Sequence, residues 1–148
     1  MKRYQLIFLV LLFAGFLSCG DDSELSSKIL INQPDMSWGA SMEEIKNKMN
    51  GFDLVESDAK NLYYAGNGME HALSYYFIDG ALETSLVTVS ADAIAQETLE
   101  GFLKSYTFLG EKNNMKVYCK ESTKTLAVIS NTQISGKKYY YIGYSRIN

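Results

Sequence analysis

A chain of 148 residues with 14 basic and 17 acidic side chains, one histidine and two cysteines is the length of a single domain with a real core. Its net charge of −3 offers no basic patch to displace counterions from phosphates, which argues against a nucleic-acid partner. Two Cys and one His are too few for a structural zinc site, and no Gly-rich phosphate loop with its lysine is present, so no cofactor or metal is expected.

The chain opens on a secretory layout: basic Lys2 and Arg3, an apolar run from Leu6 to Leu17 too short to be a comfortable membrane span, and the small Ser18 before Cys19. This resembles a bacterial lipoprotein signal, in which the lipid-modified Cys becomes the first mature residue. Phe16-Leu17-Ser18 stands where Leu and a final Ala or Gly are usual, and such a looser box resembles those of Bacteroidetes lipoproteins. Asp21, Asp22 and Glu24 resemble the acidic signal that sends such proteins to the cell surface. The resemblance implies lipid attachment at Cys19, a membrane partner reached through more lipid chains than stable anchoring requires, and an outer-membrane place in the cell envelope. An ordinary cleaved signal with an incidental Cys19, or an uncleaved anchor, are the competing readings. Loss of Lys2 and Arg3 with residues 1–18 leaves 12 basic against 17 acidic residues, a mature charge of −5.

Residues 19–34 read as the lipidated Cys and a polar tether, and 35–148 as one domain. Ser41-Met42-Glu43-Glu44 is a capping box, after which Met42, Ile45 and Met49 recur at helical spacing until Asn50-Gly51, so the pattern predicts a helix over 41–50. FDLVE, NLYYA, HALSYYFI and ALETSLVTVS then read as four strands, separated by Ser57-Asp58-Ala59, Gly66-Asn67-Gly68 and Asp79-Gly80. Asp-Gly between two such runs is the strongest short hairpin signal. After Ser90 the period returns to helical, with Ile94, Ala95, Leu99, Phe102, Leu103 and Tyr106 on one stripe and Ser90 or Asp92 as cap. Strands follow around 107–110, 115–119, 124–131 and 138–145. The order is one helix and four strands, twice, with pseudo-repeats at about 37–90 and 91–146.

Two helix-plus-antiparallel-meander repeats predict an α+β fold: one curved sheet, both helices on one face, the other face partly open. This pattern is similar to that of the β-lactamase-inhibitor-protein-like domains. The likeness is carried by SWGASMEEIKNKMNG, with Trp38-Gly39 and Ser41 to Ile45, and by the hairpin YYFIDGAL, with Tyr75, Phe77, Gly80 and Leu82. None of these residues is catalytic, so the resemblance implies architecture rather than chemistry. The second half departs from it, lacking a Trp-Gly opening and an Asp-Gly turn.

Glu43-Glu44, Asp21-Asp22 and Asp92 with Glu97 read as caps, tether charge and solvated helix face, with no distinct environments to separate their pKa values. With Cys19 lipidated, Cys119 is expected to be solitary, and its setting in VYC suits a buried small hydrophobe. A nucleophilic Cys119 would need His71 as base; that pairing is the weakest of the readings. Above background stands tyrosine, eleven in all. Strand alternation puts Tyr139 and Tyr141 on one side and Tyr140, Ile142 and Tyr144 on the other. Tyr75, Tyr139 and Tyr141 are therefore the candidate partner-binding residues of a non-enzymatic, membrane-tethered lipoprotein that holds a partner protein on an open sheet face. The alternative is a glycan or small-ligand binder whose rings stack on sugars.

Overall fold

A computed structural model describes residues 31–147; the predicted signal, Cys19 and residues 20–30 of the tether lie outside them. Eight strands, β1 (Leu54–Ser57), β2 (Asn61–Ala65), β3 (Glu70–Ile78), β4 (Ala81–Ser90), β5 (Thr107–Lys112), β6 (Met115–Lys120), β7 (Thr125–Ile134) and β8 (Lys137–Arg146), form one antiparallel sheet in the order β1-β2-β3-β4-β8-β7-β6-β5. Among the described residues helix is confined to α1 (Met42–Lys48), α2 (Gln96–Glu100) and two 3-10 turns.

This corrects the α+β expectation of two helices layered on one face. With 52 % strand and 15 % helix, the fold is mainly β. The shortfall is at α2, where the apolar stripe runs from Ile94 to Tyr106 but helix occupies five residues. Its N-cap is Ala95, which makes no side-chain cap bond. Ser90 and Asp92 are spent on a local turn instead, the Asp92 N–H donating to Ser90 Oγ. Gly101, a poor helix former, then passes the chain into a 3-10 turn, Gly101–Leu103. By contrast α1 has its capping box: the Glu44 N–H donates to Ser41 Oγ, and the Ser41 N–H donates to Glu44 Oε2 at 2.8 Å.

The repeat is visible as equivalent positions. Ile45 in α1 and Leu99 in α2, Tyr64 in β2 and Tyr118 in β6, and Leu73 in β3 and Ala127 in β7 are each fifty-four positions apart, and all six lie in one core. The two meanders meet at β4 and β8, where Val87 opposes Ile142 and Leu86 opposes Gly143. Three hairpins turn on two residues, both with positive φ: Asp79-Gly80, Asn113-Asn114 and Ser135-Gly136. That is the φ pattern of a type I′ turn. The second half therefore does have the tight turn expected only of the first, with Ser135 in the place of Asp79. Both outermost strands carry a register shift, between Leu54 and Glu56 in β1 and between Phe108 and Gly110 in β5.

The core lies on one face of the sheet, made by Leu62, Leu73, Tyr75, Phe77, Val87, Ile129, Ile142 and Tyr144 and closed by Ile45, Met49, Ile94, Leu99 and Leu103. A strap, residues 31–41, crosses that face. Ile31 is in the core, Tyr144 donates its hydroxyl to Gln33 Oε1 at 2.6 Å, the Asp35 N–H donates to the Tyr75 hydroxyl at 3.1 Å, and Trp38 Nε1 donates to Thr125 Oγ1 at 3.1 Å. The strap ends against the first tight hairpin, with the Gly39 N–H on the Leu82 carbonyl and the Leu82 N–H on that of Ala40. The Trp-Gly opening and the Asp-Gly hairpin, far apart in sequence, thus hydrogen-bond to each other. Residues 31–34, expected as tether, already belong to the packed domain.

Candidate functional site

Register assigns every strand residue to a face. Tyr75 opposes Leu62 and Ser85, and Ser85 opposes Tyr144, so Tyr75 belongs to the core face. It is fully buried, donates its hydroxyl to Met49 Sδ at 3.0 Å, and burial pushes its phenol pKa up to about 12. It is thus a pillar under the strap, on the opposite side of the sheet from Tyr139 and Tyr141. The structure brings the last two together and leaves Tyr75 out.

Tyr139 opposes Ser90 and Thr132, Tyr141 opposes Thr88 and Ser130, and Gly143 opposes Leu86 and Val128. Leu86, Val128, Tyr139, Tyr141 and Cys119 are buried hydrophobic residues that do not belong to the core cluster. All five alternate onto the second face. The expected solvent-facing stripe is corrected in one respect, because Tyr139 and Tyr141 are only 9 % and 6 % exposed. Tyr141 is hydrogen-bonded to Ser130, yet burial outweighs that bond and pushes its pKa up. Tyr139 has the His71 ring against it, centroids 4.8 Å apart. Gly143, with no side chain, lies between Leu86 and Val128 at the middle of this face.

Around Gly143 the strands carry no acidic side chain on this face. Ser74, Thr84, Thr88 and Ser130 are buried hydroxyl residues on it, and along β3, β4, β8 and β7 the residues that alternate onto this side are Ser, Thr, Ala, Tyr, Leu, Val, Ile and Gly, with His71 against Tyr139 and Lys137 at a hairpin end. Such a surface holds no fixed charge near its centre to steer a charged ligand. Its chemistry is apolar contact plus hydroxyl hydrogen bonding.

The dyad reading fails on geometry. His71 is on β3 and Cys119 on β6, separated by β4, β8 and β7, about 19 Å at the usual strand spacing. Cys119 is also buried and is not the solitary thiol expected, since its sulfur is in a disulfide. Among the described residues no group of three or more His, Cys, Asp and Glu gathers as a metal site.

Sequence reasoning missed Gly143, Leu86 and Val128. Only the pairing of β8 between β4 and β7 marks them, and adjacency of strands distant in sequence leaves no local signal. No family model, curated protein or solved structure matches the chain.

Proposed function

We propose that the chain is a non-enzymatic binding module that takes a partner protein on the second sheet face. The observation that carries this reading is the set of five apolar residues outside the core, grouped around Gly143 with no acidic side chain on the strands around it. Interfaces concentrate affinity in a few aromatic and apolar anchors. The hydroxyls of Thr84, Thr88 and Ser130 favour a second reading, a neutral glycan stacked on Tyr139 and Tyr141.

Crosslinking of the tagged protein in its native cells, followed by mass spectrometry, tests both. Wild type is compared with Gly143→Leu, which puts a bulky side chain between Leu86 and Val128, and with Tyr139→Ser/Tyr141→Ser; each variant is first checked for unchanged thermal unfolding. One dominant protein that disappears in the Gly143→Leu sample is the expected result. Absence of any captured protein, with glycan-array binding that Gly143→Leu abolishes, would replace the partner with a sugar.

A further inference from the structure

The turn between β2 and β3 ties the start of the strap to the sheet through one polar network. Glu70, a buried residue, accepts three bonds on Oε1: from the Asn67 N–H at 3.1 Å, the Gly68 N–H at 3.0 Å and the Asn32 side-chain amide at 2.7 Å. Its Oε2 accepts the Asn32 N–H at 2.9 Å. The same Asn32 side-chain amide donates to Asn67 Oδ1 at 2.7 Å. A carboxylate only accepts, so the NH2 of Asn32 faces Glu70, and the atom of Asn67 that meets this NH2 is its oxygen. Asn67 and Gly68 are themselves exposed and so open to water.

We infer that Asn67-Gly68 is a self-modifying site, at which Asn67 loses its side-chain amide through a cyclic imide formed with the Gly68 nitrogen, and that this conversion releases the strap. Gly68 carries no side chain to hinder its own nitrogen, and both reacting groups are held in one chain, which makes the step intramolecular. The Gly68 nitrogen attacks Asn67 Cγ and forms the new C–N bond. Its proton passes by way of Glu70 Oε1 to Nδ2 of Asn67, the bond from Cγ to that nitrogen breaks, and ammonia leaves. Water then opens the imide at either carbonyl, leaving aspartate or its β-linked isomer. One water is gained and one ammonia lost, and nothing is oxidised or reduced. The fold sets both helpers in place beforehand. Glu70 Oε1 is an acceptor already aligned on the nucleophile's N–H, and Asn32 donates to the oxygen on which negative charge builds as Cγ is attacked. The product sets a second carboxylate beside that of Glu70, and this like-charge pair weakens the network that holds Ile31 and Asn32 on the domain. The conversion runs one way, so it acts as a timer on the strap's anchor.

The chain's other Asn-Gly pair, Asn50-Gly51, stands exposed just past α1 and serves as an internal reference. The purified full chain is incubated at mildly alkaline pH, both folded and in guanidinium chloride, and conversion at Asn67 and Asn50 is followed by peptide mapping. Asn67 is expected to convert about tenfold faster in the folded protein than in the unfolded chain, the factor that one oriented hydrogen bond to the transition state supplies. A folded rate equal to or below the unfolded one would overturn the site. Asn32→Ala and Glu70→Gln are expected to bring Asn67 down towards its unfolded rate while Asn50 keeps its wild-type rate. An undiminished rate at Asn67 in both variants would overturn the roles given to the two residues. Asn67→Asp, which carries the product's charge from the start, is expected to speed proteolytic cleavage near residue 31; cleavage at the wild-type rate would overturn the release.

Discussion

Glu70 shows how one residue can organise a terminus. Its carboxylate is buried and receives N–H donors from Asn32, Asn67 and Gly68. Burial alone would raise its pKa, but the donors outweigh it and hold the group below the usual glutamate range. A folded-state pKa below the unfolded one gives stability that is complete above about pH 4.5 and lost as pH falls through the depressed value. Glu70→Gln is expected to cost about 2 kcal/mol at pH 7, and the gap from wild type should narrow in urea melts run at successively lower pH below about 4.5. Ser85 is the opposite case, fully buried between two tyrosines with no hydrogen-bond partner for its hydroxyl. Ser85→Ala should leave stability unchanged or raise it by about 1 kcal/mol, readable as a denaturation midpoint. Neither role was legible beforehand: Glu70 looks like any strand-end acid, and its donors come from residues read as a polar tether. The tyrosines teach the same point. Tyr75 and Tyr139 are alike in local sequence, and only the pairing of Ser85 with both Tyr75 and Tyr144 puts one in the core and leaves the other on the far face.

At the level of elements, turns and strands were readable and helix lengths were not. Period-2 alternation and two-residue turn signals place all eight strands to within a few residues, because both are properties of consecutive positions. The stripe from Ile94 to Tyr106 overstated α2, since an apolar spacing says which side chains are buried but not that a helix joins them. The β2–β3 turn is the most constrained connection. A Cβ on Gly66 would lie 1.9 Å from the Glu70 carbonyl oxygen, a backbone atom that cannot rotate away. Gly66→Ala should therefore force the turn to move, cost several kcal/mol, and free Asn32 from Glu70. Thermal unfolding together with faster proteolysis near residue 31 would report both effects, whereas Gly101→Ala, with open space around its Cβ, should do neither.

The whole molecule depends on the seam between its two halves. β4 and β8 pair along seven positions, from Thr84 with Ser145 to Ser90 with Tyr139, and β4 is long and almost wholly buried. Residues 31–90 alone would expose that edge and lose the Thr125 partner of Trp38. Such a fragment is expected to aggregate or stay unfolded by circular dichroism, although its sequence pattern looks complete, because the repeat is one of shape rather than of independent stability. The true outer edges are treated differently. β1 and β5 are broken by bulges at Val55 and Leu109, and an irregular edge is a poor template for another strand. Two copies brought together at high local concentration would otherwise meet edge to edge. The paired bulges let this sheet be crowded without zipping into a continuous ribbon.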